Sequence, residues 1–225
     1  MDSTGDVGAY SSLVLDSSGY SHISYYDSNG NLKYAKWTGS TWGITTVDTT
    51  GDVGRYSSIA LDSSNNPHIS YYDATNYDLK YAKWTGSEWS KQTVDSTGTV
   101  GTYSSLVLDS SNNPHISYYD GTNLVLKFAK WTGLAWSIVT VDSTGWVGLD
   151  SSLVLDSSNN PHISYLDFTN GYLKYAKWTG SRWSIVTVDS AGDVGYYSFL
   201  VLDSSGNPRI SYYDAGNGDL KYASV

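Results

Sequence analysis

The chain repeats itself about every 47 residues, and this internal period constrains its fold more than any other feature. The dipeptide Val-Gly recurs in a constant frame, at Val7, Val53, Val100, Val147 and Val194. The run Lys-Trp-Thr-Gly follows the same frame and begins at Lys36, Lys83, Lys130 and Lys177. The 225 residues therefore contain five units.

Each unit contains four short apolar stretches, which we name strands a, b, c and d. In the first unit they are Ser11–Asp16, His22–Asp27, Leu32–Thr38 and Trp42–Asp48. None has a sustained helical period, and turn residues such as Ser-Ser-Asn-Asn-Pro and Thr-Gly separate them. Four strands in a unit of this length are typical of a β-propeller blade. We predict an all-β fold, a five-bladed β-propeller with four-stranded antiparallel blades, forming a single domain over residues 1–225.

The predicted blades span residues 7–48, 53–95, 100–142, 147–189 and 194–225. The alternatives fit less well, because a parallel β-helix has shorter rungs and an array of separate modules needs linkers. The last unit stops at Leu220–Val225, inside strand c, so its blade is expected to lack the outer strand. The exposed edge of strand c then has three explanations: the chain is truncated, the blades close by packing on each other, or a neighbouring chain pairs with the edge. A monomer and an edge-paired oligomer are therefore both compatible with the sequence.

Composition excludes several classes of function. The sequence has no cysteine, which excludes disulfides and thiolate metal sites, and it has no apolar run long enough for a transmembrane helix. With 22 Asp and Glu against 13 Lys and Arg, the net charge is -9, which argues against nucleic-acid binding. Met1 leads directly into a repeat, so no signal peptide is expected in this chain, although an extracellular or cell-surface location fits the composition. No cofactor and no membrane insertion are expected.

A row of polar and aromatic residues is predicted across each blade. Counting back from the turns places His22 opposite Trp37, with Asp16 and Trp42 in the same row, and it places Arg209 opposite Val225. We interpret the rows as a structural hydrogen-bonded network, because a metal site needs more than one histidine. The network residues are Asp16, His22, Trp37, Asp62, His68, Trp84, Asp109, His115, Trp131, Asp156, His162 and Trp178.

The turn between strands a and b has two interpretations. Asp62, Ser64 and Asn66 alternate oxygen ligands as calcium loops do, but Pro67 stands where such a loop needs glycine. An Asx-type turn is the preferred interpretation.

Differences between the copies concentrate after Val-Gly, in the b–c loops and at the c–d turns. The first two groups are expected at one end of the blades, where tyrosines and strand-end aspartates also recur. An aromatic face and a carboxylate together are typical of sugar binding. The candidate ligand-binding residues are Tyr10, Tyr56, Tyr103, Tyr197, Asp27, Asp73, Asp120, Asp167 and Asp214.

The run LDSSNNPHISYYD, which begins at Leu61, resembles the repeats of sialidase-like (BNR-type) propellers. The number and length of the units also resemble the tachylectin-type lectins, and that resemblance implies binding of amino sugars at several equivalent sites. Sialidases need three convergent arginines and a Tyr–Glu pair. The arginines here are Arg55, Arg182 and Arg209, which the register separates, and the only glutamate is Glu88.

We therefore predict a non-catalytic, multivalent carbohydrate-binding protein whose partners are glycans. The main alternative is a structural or protein-interaction scaffold with no small ligand, arising by recent amplification or by engineering of the repeat. A glycoside hydrolase is a remote alternative.

Overall fold

The computed structural model describes residues 1–225 and consists of strands and turns without a helix. The first repeat contains β1 (Val7–Leu15), β2 (Ser21–Asp27), β3 (Asn31–Trp37) and β4 (Trp42–Asp48), and the second contains β5 (Val53–Leu61), β6 (Pro67–Asp73), β7 (Asp78–Trp84) and β8 (Trp89–Asp95). The third contains β9 (Val100–Leu108), β10 (Pro114–Asp120), β11 (Val125–Trp131) and β12 (Trp136–Asp142). The fourth contains β13 (Val147–Leu155), β14 (Pro161–Asp167), β15 (Tyr172–Trp178) and β16 (Trp183–Asp189), and the fifth contains β17 (Val194–Leu202), β18 (Pro208–Asp214) and β19 (Asp219–Ser224).

The strands form antiparallel sheets in which chain order is also spatial order. The first sheet is β1-β2-β3-β4, the second is β5-β6-β7-β8, and the fourth is β13-β14-β15-β16. The fifth sheet has three strands, β17-β18-β19. The prediction of four-stranded meanders, with the outer strand missing from the last, is confirmed. No helix here is long and apolar enough to cross a lipid bilayer.

The chain divides into two compact units, residues Met1–Pro114 and His115–Val225. The first unit holds the sheets of the first two repeats together with β9. The second unit holds the rest of the third repeat and the sheets of the fourth and fifth repeats. The division falls at the start of β10, inside a repeat, so it does not follow the sequence period.

The predicted register between strands b and c is wrong by one residue. His22 pairs with Lys36 and not with Trp37, and Asp27 pairs with Asn31. Each b–c loop is one residue shorter than predicted, because the Asp27 carboxylate accepts the backbone N–H groups of Asn29 and Asn31 and closes the turn early. The same correction applies to His68, His115, His162 and Arg209, which pair with Lys83, Lys130, Lys177 and Ser224. The predicted pairing of Trp37 with Trp42 is confirmed.

The glycine of each Val-Gly dipeptide marks a close approach between neighbouring repeats. Gly54 has φ +108, and a Cβ atom built on it lies 2.8 Å from Cα of Leu32 in the preceding repeat. Gly101 has φ +106, and its Cβ lies 2.7 Å from Cα of Leu79. Gly148 against Leu126 and Gly195 against Leu173 repeat this contact in the second unit. Only glycine fits a positive φ and so short a backbone distance, which explains why the dipeptide recurs.

Serine side chains link neighbouring a strands. The Ser57 hydroxyl donates to the Tyr10 carbonyl oxygen over 2.9 Å, and the Ile59 N–H donates to the Ser12 hydroxyl oxygen over 3.2 Å. The Ser57 hydroxyl also lies 2.8 Å from that of Ser24 on strand b. The same bonds join the fourth and fifth repeats through Ser198, Asp150, Leu200, Ser152 and Ser164. These bonds satisfy polar atoms that the close packing removes from water.

A buried carboxylate completes each junction. The Tyr71 hydroxyl donates to Oδ2 of Asp48 in the preceding repeat over 2.8 Å, and Lys80 Nζ lies 3.4 Å from the same oxygen. Burial raises the pKa of Asp48, but the bonds donated by Lys91 and Tyr71 outweigh that effect and hold the pKa well below its usual range. Tyr165 and Lys174 on Asp142, and Tyr212 and Lys221 on Asp189, repeat the arrangement. The sequence analysis did not identify this cluster.

The junction glycines provide a matched test of repeat–repeat packing. Gly101→Ala introduces backbone strain together with a clash against Leu79, whereas Gly86→Ala introduces the strain alone, because Gly86 has φ +98 and nothing within 4 Å of its Cβ position. We expect Gly101→Ala to lower the free energy of unfolding by about 1–3 kcal/mol more than Gly86→Ala. Urea denaturation of both variants measures the difference. Equal losses would show that the junction contact does not stabilise the fold.

Candidate functional site

The predicted tyrosines lie at the start of the a strands in a strained conformation. Tyr10, Tyr56 and Tyr103 have φ between 51 and 54, and β-bulges interrupt the pairing of the a strands around these positions. The ring of Tyr56 lies 4.7 Å from the rings of both Tyr10 and Tyr103, so the three form an aromatic ladder along one end of the first unit. Burial raises the pKa of Tyr56 above its usual range.

The ladder position is occupied differently in the second unit. Asp150 takes the place of a tyrosine, and its carboxylate accepts the backbone N–H of Tyr197 over 3.0 Å. Burial raises the pKa of Asp150, against the lowering effect of that bond. Tyr197 itself is largely exposed. Tyr10 is exposed as well, so both tyrosines are accessible to a ligand.

The five predicted aspartates have structural roles. Asp73 is buried, its Oδ1 accepts the backbone N–H groups of Thr75 and Asn76, and its Oδ2 accepts the Asn76 amide over 2.9 Å. Lys80 adds an ion pair at 3.7 Å. The other four, Asp27, Asp120, Asp167 and Asp214, are also buried and cap their own b–c loops. Each carboxylate therefore has a role within its own loop, and ligand binding by the five aspartates stays a prediction.

The histidines of the predicted network are buried, and burial lowers the pKa of His22, His68 and His162. The Asp16 carboxylate can only accept, so the imidazole proton of His22 lies on Nε2, 3.3 Å from Oδ2 of Asp16, and Nδ1 accepts from the Tyr34 hydroxyl over 2.6 Å. Burial lowers the pKa of His68 to about 4, and the nearby Lys83 charge adds to this effect. Tyr81 and Tyr175 are the hydroxyl partners of His68 and His162, whereas Phe128 occupies this position beside His115. The partner of each histidine is thus the strand-c aromatic and not the predicted tryptophan.

The a–b turns have the Asx geometry that the sequence favoured over a calcium loop. The Asp62 carboxylate Oδ1 accepts the backbone N–H groups of Ser64 and Asn66. Asn65, with φ 62, uses its side chain to bond Ser17 in the preceding repeat. The structure contains no group of three or more His, Asp or Glu side chains placed to hold a metal ion.

A cleft lies between the first and second repeats, at the opposite end from the tyrosine ladder. Its volume is about 410 Å³, and it is lined by Tyr34, Lys36, Thr45, Ser64, Asn65, Asn66, Pro67, Trp84 and Trp89. Strands β3 and β4 form one wall, and the a–b turn and the tryptophan pair of the second repeat form the other. Trp89 packs edge-on against Tyr34 with ring centroids 5.4 Å apart, and Trp84 lies 5.5 Å from Trp89. This packing fixes the orientation of both indoles.

The lining of the cleft combines aromatic surface with polar groups and one cation. The side chain of Lys36 is 41% exposed and lies 4.0 Å from the Asp16 carboxylate. Asn65 and Asn66 line the opposite wall, where their side-chain amides bond Ser17 and Asp62 and are thereby fixed in place. Aromatic faces with a few fixed polar groups suit the C–H faces and hydroxyls of a sugar, and an ammonium group suits a carboxylate or sulfate substituent.

The sequence pattern placed Trp84 and Trp89, the second repeat's copies of Trp37 and Trp42, in a structural row, and it gave Lys36 and Asn65 no role in binding. The feature of the sequence that could have indicated the cleft is the tryptophan pair, which recurs together with the Asn-Asn turn. In the second unit the corresponding rings, Phe128 and Trp183, lie 5.5 Å apart, with Lys130, Asn159 and Asn160 at the matching sequence positions.

Solved structures with a similar fold include a polysaccharide lyase and a lectin. An ulvan lyase, a polysaccharide lyase bound to -[GlcA(1-4)Rha3S]-, has a TM-score of 0.70 at 14% identity, covering 97% of this chain and 64% of that protein. The Aleuria aurantia lectin in complex with Fucalpha1-6GlcNAc has a TM-score of 0.62 at 16% identity, covering 99% and 75%. A mutant of AofleA from Arthrobotrys oligospora has a TM-score of 0.57 at 12% identity, covering 98% and 89%.

At these identities the similarity establishes a repeated β-blade fold and nothing finer. The sequence matches no protein-family model and no curated protein. The sialidase-like assignment of the repeats therefore stays a prediction.

The buried histidines predict how stability depends on pH. An unfolded histidine has a pKa near 6.5, whereas the pKa of His68 in the fold is about 4, so the unfolded chain binds more protons between these pH values. The contribution of His68 to stability is complete above pH 6.5 and is lost as the pH falls toward 4. Lowering the pH from about 7.5 to about 5.0 reduces the free energy of unfolding of the wild type. We expect this reduction to be about 2 kcal/mol smaller in His68→Gln.

Urea denaturation at the two pH values measures this difference. Arg209→Gln is the control, because Arg209 occupies the same repeat position but stays charged throughout the range. We expect its pH dependence to match the wild type. A His68→Gln variant with the wild-type pH dependence would contradict the assignment of a neutral buried imidazole.

Proposed function

We propose that the protein is a non-catalytic, multivalent carbohydrate-binding protein built from five propeller-type blades, the last of three strands. The observation that carries the proposal is the aromatic cleft between the first two repeats, about 410 Å³ in volume and lined by Trp84, Trp89 and Lys36. Its size and lining are those of small-molecule sites, which combine aromatic walls with a few fixed polar groups.

The binding surface in this proposal is the tryptophan cleft, not the tyrosine ladder. The ladder is an open surface whose neighbouring aspartates cap their own loops. The cleft, by contrast, brings walls from two repeats together around one space. Because the lining residues belong to the repeated part of the sequence, similar clefts are expected at other junctions, and weak sites then combine into avidity.

The ligand in this proposal is a glycan that carries an acidic group, and Lys36 is the reason. It is the only charged residue that lines the cleft. The lectin and the lyase of similar fold bind a fucosylated disaccharide and a glucuronate-containing one. A glycan array that includes both classes identifies the ligand, and no signal on any class would overturn the proposal. Chromatography of the incubated glycan tests the absence of catalysis, since cleavage products would contradict it.

The number of bound oligosaccharides tests the cleft itself. We expect Trp84→Ala to reduce the stoichiometry measured by calorimetry by one site per chain, while the remaining sites keep their affinity. Trp37→Ala is the matched control, because Trp37 occupies the same repeat position but does not line this cleft. Circular dichroism checks that both variants fold. Unchanged stoichiometry in Trp84→Ala would place the ligand elsewhere.

A further inference from the structure

Two surfaces that are buried at the junctions between repeats are exposed at the two ends of the repeat series. Leu13 on β1 is 60% exposed, whereas its counterpart Ile59 is 6% exposed. Leu220 on β19 is 84% exposed, whereas its counterparts Leu32, Leu79, Leu126 and Leu173 are all 0% exposed. We name the first surface the head face (Val7, Gly8, Ser11, Leu13, Ile23 and Tyr25) and the second the tail face (Phe199, Ser211, Leu220 and Tyr222).

The internal junctions show what each surface is built to contact. In the first unit, Leu32 and Tyr34 of one repeat pack in a common core with Val53, Ile59 and Tyr71 of the next. In the second unit, Leu173 and Tyr175 pack in the same way with Val194, Leu200, Ile210 and Tyr212. Leu220 and Tyr222 are the fifth repeat's copies of the first pair, and the head face holds the first repeat's copies of the second group. The two faces are therefore the two halves of one interface.

The head face has an open space where a preceding repeat would pack. A groove of about 290 Å³ is lined by Val7, Gly8, Ser11, Leu13, Ile23 and Tyr25, together with Met1 and Asp2. Nothing lies within 4 Å of the Cβ position of Gly8, whereas at Gly54 and Gly101 a leucine of the preceding repeat fills that position. The groove thus has the same lining as one side of an internal junction. It lacks the leucine and the aromatic side chain that the preceding repeat supplies there.

The head face also has its own copy of the buried junction carboxylate. At internal junctions the aspartate at the end of strand d reaches forward to a tyrosine and a lysine of the next repeat. The fifth repeat has no strand d, but the first repeat already has Asp2 in this place. Tyr25 donates to Asp2 over 2.8 Å, and Lys33 pairs with it at 3.1 Å. The head face therefore needs from a partner only the leucine and the aromatic that the tail face presents.

We propose that the head face of one molecule binds the tail face of a second copy of this chain. Leu220 and Tyr222 of one copy enter the groove beside Gly8 and Leu13 of the other, and Ser211 meets Ser11 as Ser24 meets Ser57 inside the chain. The contact is heterologous, so it builds head-to-tail assemblies. A second copy is the occupant because the repeats of this chain carry the residues that match each face. Leu13 of the head face is exposed, and so are Leu220 and Tyr222 of the tail face.

One substitution distinguishes this contact from the internal ones. Ser12, Ser58 and Ser152 accept the N–H of Ile59, Leu106 and Leu200 in the following repeat. Phe199 stands at this position in the fifth repeat and is 63% exposed. The intermolecular contact therefore exchanges one hydrogen bond for apolar contact, which suits an interface that assembles from separate molecules.

Sedimentation of two single-face variants tests the proposal. We expect the wild type to show mass that increases with concentration above the 24.6 kDa of one chain. Leu13→Asp and Leu220→Asp should each abolish this increase, because each removes one half of the contact. Mixed together they should form a two-chain species and nothing larger, since the mixture has one intact head face and one intact tail face per pair.

Leu134→Asp is the control, because Leu134 is 92% exposed in a c–d turn and belongs to neither face. It should associate as the wild type does. A wild type that stays monomeric would overturn the proposal. In that case the unfolding temperatures of Leu13→Asp and Leu220→Asp show where the faces lie. If both are lower than that of Leu134→Asp, the head face and the tail face pack on each other within one chain. If both equal it, the two faces are uncovered surface.

Discussion

The structure depends on the contact between successive repeats. A single four-stranded sheet leaves apolar faces that it cannot cover alone, so each repeat needs a neighbour, as in other repeat proteins. Here the neighbour approaches so closely that a glycine at positive φ is required opposite a leucine. The short distance then brings the a strands within reach of serine side chains, which satisfy the backbone groups along the contact. The Val-Gly and Ser-Ser pairs of the sequence follow from this one constraint.

The candidate binding site is a product of the same contact. The tryptophan pair of the second repeat and strand c of the first repeat form one cleft only because the two sheets are held at a fixed separation. The buried Asp48, with Tyr71 and Lys80, fixes that separation on one side, and the Asn65 side chain bonded to Ser17 fixes it on the other. Rigid support of this kind holds aromatic and polar groups in position for a ligand.

The sequence was sufficient for the strands and turns and insufficient for the site. The period, the four-stranded meander and the short last sheet follow from patterns repeated five times over. The register between strands b and c could not be predicted in this way, because a one-residue change in loop length reverses which face of the sheet a side chain occupies. In this fold that change moved the partner of His22 from Trp37 to Tyr34. The sequence does not separate the two roles of the aspartates, because an Asp at a strand end has the same sequence pattern whether it caps a turn or binds a ligand.

Amide hydrogen exchange measures the central contact most directly, residue by residue. The Ile59 and Leu106 N–H groups are bonded to serines of the preceding repeat, and Leu13 has the same position with no preceding repeat beside it. In the Leu220→Asp variant, which lacks the tail face, we expect the backbone amide of Leu13 to exchange at least about tenfold faster than the amides of Ile59 and Leu106. Equal protection at the three amides would contradict the claim that neighbouring repeats stabilise one another through this contact.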